Sequence, residues 1–168
     1  MSAVAGLYTL QLGVIALVVA ADQVSKAIVR RSLDAGESVT VIPGLFDLAR
    51  VHNTGLAFGL MNGLDLPFQS ALLALVPACA LVALAVYGSQ LVPGQTLTRI
   101  GLSVVIGGAI GNLIDRVTAG YVLDFVDLYW RGWHFWAFNV ADAAINIGAG
   151  LVILDLLRPG RHGVSRAV

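Results

Sequence analysis

From Gly107 to Asp142 the chain reads GGAIGNLIDRVTAGYVLDFVDLYWRGWHFWAFNVAD, and four of its ten acidic residues stand there: Asp115, Asp124, Asp127 and Asp142. The stretch opens as an apolar helix, breaks into polar and aromatic residues, and re-enters an apolar helix through Phe138-Asn139-Val140-Ala141-Asp142. Carboxylates beside lipid-grade segments are expensive to keep, so some of these four have work to do. Asp115 and Arg116 are neighbours and read as a local pair that neutralises a helix end. Asp124 and Asp142 have no basic partner in sequence, which makes them the candidates for a reactive pair. Two carboxylates held close cannot both ionise easily, so one can act as an acid while the other activates water. Asn112 stands three before Asp115 and four before Arg116, while Asn139 stands three before Asp142 and Asn146 four after it. At helical spacing, Asn139 and Asp142 face the same way.

The elements that must position these groups follow from composition. Of 168 residues, 58% are hydrophobic and 12% charged, with a mean hydropathy of +0.85. Both fractions lie outside the range of soluble domains, so lipid must solvate much of the surface of a single membrane-embedded domain over residues 1–168. The net charge is zero and no basic cluster interleaves with aromatics, which argues against nucleic acid as a partner. The single cysteine, Cys79, lies in an apolar run and reads as a small hydrophobe.

Apolar runs of spanning length predict four transmembrane helices at about 7–29, 68–87, 97–114 and 137–157. A secretory signal peptide competes for the first run, but no basic residue precedes it. Asp22 and Lys26 share a face near its far end, as an ion pair inside the bundle or as groups that hold a substrate or orient a neighbour. Between the first two helices, 30–67 is the most polar region, and Ser38–Ile42 and Phe46–Val51 predict short strands around Pro43-Gly44. Asn53-Thr54-Gly55 then suggests a tight backbone presenting an amide, although a plain turn would read alike. Gly101, Gly107, Gly108 and Gly111 form a stripe that favours close helix packing. In the second polar region, 117–136, Tyr121–Asp127 reads as extended. Trp130, Trp133 and Trp136 read as an interfacial belt, or more sharply as a lipid-substrate groove.

Four spans put both polar regions, the end of the first and third helices and the start of the fourth on one membrane face. Every unusual polar residue gathers there: Asp22, Lys26, Asn53, Asn112, Asp115, Arg116, Asp124, Asn139 and Asp142. A site at the membrane edge would produce that asymmetry.

These residues also carry a resemblance. Asp22-Gln23-Val24-Ser25-Lys26, Asn53-Thr54-Gly55-Leu56-Ala57-Phe58, Gly107–Arg116, Gly120–Phe125 and Phe138–Asp142 occur in the order seen in bacterial lipoprotein signal peptidases (signal peptidase II), which the chain resembles over nearly its whole length. The resemblance implies an α-helical integral membrane protein with four transmembrane helices and a small extracytoplasmic β-cradle. It implies cleavage of a prolipoprotein before its diacylglyceryl-modified cysteine, with Asp124 and Asp142 as the catalytic dyad. Asn53, Asn112, Arg116 and Asn139 would hold the substrate backbone or the dyad, and Asp22 with Lys26 would support the site. It further implies inhibition by globomycin-type cyclic peptides, contact with membrane lipid, a monomer, and neither metal nor organic cofactor.

Orientation is less direct. Six basic residues on the polar face against four opposite would place that face in the cytoplasm. Lys26 and Arg116 are occupied inside the site, which leaves four against four; the resemblance then decides for a bacterial inner-membrane protein with its site towards the periplasm and both termini cytoplasmic. The rival reading is a metal-dependent lipid head-group phosphotransferase, in which Asp115, Asp124 and Asp127 would share magnesium with phosphate. It leaves Asn139 and Asp142 unexplained. A channel would need polar residues reaching both faces, and the far ends of the helices offer almost none.

Overall fold

The computed structural model describes residues 3–55, 68–92 and 94–158. The Leu56–Phe58 part of the second motif lies outside them.

The elements run α1 (Ala3–Ser32), β1 (Ser38–Ile42), β2 (Phe46–Asn53), α2 (Gln69–Ser89), α3 (Thr96–Ala119), β3 (Val122–Trp130), β4 (Trp133–His134) and α4 (Val140–Leu156). Stretches of α1, α2 and α3, namely Gly6–Ser32, Ala71–Ser89 and Thr96–Ala119, are long and apolar enough to cross a membrane. The outward faces of α1 and α2 are rich in exposed leucine, valine and isoleucine, which water would penalise and lipid accepts. Pro77 sits inside α2, tolerated as membrane helices tolerate proline. The four strands form one antiparallel sheet in the order β1-β2-β3-β4. As expected, β1 and β2 flank the Pro43-Gly44 turn, where Gly44 takes a φ of +79°.

The first helix runs past its expected bounds at both ends, from Ala3 to Ser32, and two further boundaries differ next to the polar regions. The third run ends near residue 114, where charge begins, yet α3 continues to Ala119 and ends on Gly120 in the left-handed region. Its charged residues find partners on neighbouring elements, so the helix need not stop for them. The fourth run starts at 137, but α4 begins at Val140 because Phe138 bonds to β3 as a strand would: its carbonyl accepts from the Phe125 and Val126 amides at 3.0 and 2.8 Å. Asn139 then caps the helix, its side chain accepting from the Asp142 amide while the Asp142 carboxylate accepts from the Asn139 amide. The start of α4 is thus pinned to β3.

Close packing of α3 completes the scaffold. A Cβ added to Gly108 would lie 2.5 Å from the Ala141 carbonyl, and one added to Gly111 would lie 2.5 Å from the Asp22 carboxylate. The glycine stripe therefore brings both α4 and α1 against α3. Val29 of α1 and Leu33, just past its end, pack with Leu123 and Phe125 of β3.

Polar residues are less one-sided than the sequence suggests. At the opposite end of the bundle Thr98, Arg99, Ser103 and Asp155 are all buried. Asp155 accepts from the Thr98 amide at 3.2 Å and the Thr98 hydroxyl at 2.5 Å, and Arg99 donates to the Leu91 carbonyl. Asp155 and Thr98 stand 57 residues apart, and each reads locally as the frayed end of an apolar helix, so the chain gives no sign of their pairing.

Candidate active site

The site lies where α3, α4, β2 and β3 meet. Asp124 comes from β3 and is 2% exposed; Asp142 occupies the first turn of α4 and is half-buried. Asn139 touches both, donating from its side chain to Asp124 Oδ1 at 2.6 Å and accepting from the Asp142 amide at 2.9 Å. Asn53, at the end of β2, donates to Asp124 Oδ2 at 2.9 Å, and Asn112 of α3 donates to Asp142 Oδ1 at 2.8 Å. Each carboxylate therefore sits among amides rather than cations. Burial first, and then the Asp142 charge, pushes Asp124 up to about 7, against the downward pull of the Asn53 and Asn139 donors.

Behind this layer lies a charge network. Lys26, wholly buried, bonds to Asp22 at 2.8 Å and Asp115 at 3.0 Å, and donates to Asn112 Oδ1 at 3.0 Å. Asp22 and Lys26 form the expected ion pair. Asp22 also accepts the Ala141 amide at 3.0 Å, tying α1 to the first turn of α4.

The expected Asp115–Arg116 pair is replaced by different partners. Asp115 bonds to Lys26 and, at 2.7 Å, to Arg30, and it accepts the Leu123 amide at 3.1 Å. Adjacent residues of a helix point about 100° apart, so Asp115 turns to α1 while Arg116 turns to the site. Arg116 donates to the Gly55 carbonyl at 3.3 Å and lies within electrostatic reach of both Asp142 and Asp124. Asn146 donates back to the Asp142 carbonyl at 2.9 Å, away from the two carboxylates.

Sequence reasoning missed Arg30. Its signal was present: Asp22, Lys26 and Arg30 follow one another at four-residue spacing on one face of α1. Asp127 stands apart from the site, paired with His134 at 2.9 Å on the exposed β3–β4 hairpin. Nearby, His52 stacks on Tyr121 with ring centroids 3.8 Å apart, and burial together with Arg50 and Arg30 lowers its pKa, which favours the neutral imidazole.

Helices of membrane length around two carboxylates held by one asparagine are the layout of a membrane-embedded enzyme of the aspartic peptidase type. Residues 14–158 match the family described as Signal peptidase (SPase) II. The chain is 44% identical to the lipoprotein signal peptidase of Syntrophotalea carbinolica, covering 87% of this chain and 90% of that one, and 40% identical to that of Pseudomonas aeruginosa PAO1, covering 88% and 87%. Among solved structures, a bacterial membrane enzyme determined by the in meso method at 1.9 Å resolution superposes with a TM-score of 0.79 at 30% identity, over 90% of this chain and 95% of that one. The chain belongs to the signal peptidase II family, and it is an aspartic-type membrane endopeptidase.

Proposed function

We propose that Asp124 and Asp142 are the catalytic dyad of a lipoprotein signal peptidase, which removes the signal peptide from a prolipoprotein by cleaving before the diacylglyceryl-modified cysteine. Family membership carries the reaction. The observation that carries the residue assignment is Asn139, whose one side chain binds Asp124 and caps the helix turn that holds Asp142. It brings two carboxylates 18 residues apart in sequence to one point.

The chemistry balances between these two groups. The ionised aspartate takes a proton from water, and the water oxygen attacks the scissile carbonyl carbon. The protonated aspartate gives its proton to the carbonyl oxygen, forming a neutral gem-diol. In collapse the first aspartate returns its proton to the leaving nitrogen, the C–N bond breaks, and a gem-diol hydroxyl reprotonates the second. Asp124, pushed up to about 7, is able to hold a proton near neutral pH as this cycle requires. Arg116 and the asparagines add positioning and stabilise developing oxygen charge.

In the same reading the single domain spans the bacterial inner membrane four times. The fourth span is α4, whose 17 residues rise about 25 Å. The sheet forms the cradle on the periplasmic face, both termini are cytoplasmic, and the monomer is blocked by globomycin-type cyclic peptides. The phosphotransferase alternative loses its metal ligand, because Asp115 is committed to Lys26 and Arg30.

The deciding experiment is cleavage of a lipid-modified prolipoprotein peptide by purified wild type, Asp124→Asn and Asp142→Asn, with and without chelator. Loss of cleavage in both variants, with wild type indifferent to chelator, is expected. Substantial cleavage by either variant would remove the dyad.

A further inference from the structure

We infer that Lys26 is a positioning residue that makes the dyad asymmetric: acting through Asn112, it holds Asp142 as the ionised member and leaves Asp124 to carry the proton. The inference rests on the dyad reading above.

An ammonium group donates and cannot accept, so the Asn112 atom facing Lys26 Nζ at 3.0 Å must be the amide oxygen. The same amide then has only its NH2 left to turn toward Asp142, which it reaches at 2.8 Å. Lys26 thereby fixes the sense of an amide that could otherwise rotate by half a turn and offer Asp142 a repelling oxygen. Asn139 Nδ2, which also donates to Asn112 Oδ1 at 3.2 Å, agrees with that sense.

The second oxygen of Asp142 accepts the Asn139 backbone amide at 3.2 Å, at the positive end of α4. Both Asp142 oxygens are thus fixed acceptors within a helix terminus. Asp124 lies on a strand, outside the first turn of α4, and its second donor, Asn53, stands at the half-buried mouth of the site. The charged groups facing Asp142 are Asp22 and Lys26 from α1, Arg116 from α3 and Asp124 from β3. Because Asp22 and Asp115 already hold Lys26 at 2.8 and 3.0 Å, its net field is largely cancelled, and its influence passes through the direction of the Asn112 amide.

Lys26→Met alone would strand buried carboxylates and threaten the fold. The test therefore uses Asp22→Asn/Lys26→Met, which removes both charges together. The side-chain oxygen that remains at position 22 can still accept the Ala141 amide, and Asp115 keeps Arg30. Alongside it stand Asn112→Ala and the triple variant, with Asp142→Asn as control, all assayed on a lipid-modified prolipoprotein peptide across pH with thermal stability followed in parallel. The expected result is a kcat reduced by roughly 10²-fold with KM within about threefold, an acid limb of kcat/KM moved up by about one pH unit, and the same values for Asn112→Ala and the triple variant. Losses that multiply in the triple variant, or an unmoved acid limb, would show Lys26 to be merely structural and overturn the inference. An active Asp142→Asn would instead strike the dyad itself, so the two failures are distinguishable.

Discussion

The bundle buries polar groups at both ends, and the two ends treat them differently. At the end away from the dyad, Asp155 receives both donors of Thr98 near the start of α3, Ser103 bonds back to the Arg99 carbonyl, and Arg99 reaches the Leu91 carbonyl. A carboxylate close to a helix N-terminus is in a favourable place. At the dyad end, Asp22 and Asp115 are likewise satisfied, each bonded to Lys26, yet one step further Asp124 and Asp142 face each other with amides for company. Burial of polar residues alone therefore does not mark a site. The mark is a pair of carboxylates with no cation bonded to either among the described residues, beside others that have one.

The sharpest way to break the contrast is to neutralise one acid at each end. Asp124→Asn or Asp142→Asn should lower kcat by at least about 10³-fold while the protein still folds into membranes, as measured by peptide cleavage and size-exclusion elution. Next in size is Asn139→Ala, which removes the helix cap and the Asp124 contact together. A loss of about 1 kcal/mol in stability and of roughly 10²-fold in kcat is expected, read from thermal unfolding and steady-state kinetics. Retention of full activity would mean that Asn139 does not bring the pair together.

Proton linkage supplies a third test. Asp124 is raised from its ordinary 3.8 to about 7, so between those values the folded state binds more protons than the unfolded state. Its contribution is therefore present in full below about pH 4 and is lost as pH rises through 7. Wild type should lose thermal stability across that window relative to Asp124→Asn, and parallel curves for the two proteins would contradict the raised value. The smallest effect on catalysis belongs to the far end. Asp155→Asn should cost about 1–3 kcal/mol of stability, seen as a lower unfolding temperature, while kcat/KM stays within about twofold of wild type.

Much of this was legible along the chain. Apolar runs of spanning length announced the helices, β-formers around Pro43-Gly44 announced the first hairpin, and unpartnered Asp124 and Asp142 stood out because lipid makes idle carboxylates costly. Helical spacing put Asp22 and Lys26 on one face, and their ion pair followed. These are local facts, set by periodicity and by the cost of charge in an apolar solvent. The chain alone did not disclose who would neutralise whom. Asp115 abandons its neighbour Arg116 for Lys26 and Arg30, Asp155 finds Thr98, and the amide of Asn112 takes its direction from α1. Pairing across helices depends on how closely the glycines of α3 let α1 and α4 approach and on the rotation of each helix about its axis. Only the packed structure sets those two quantities.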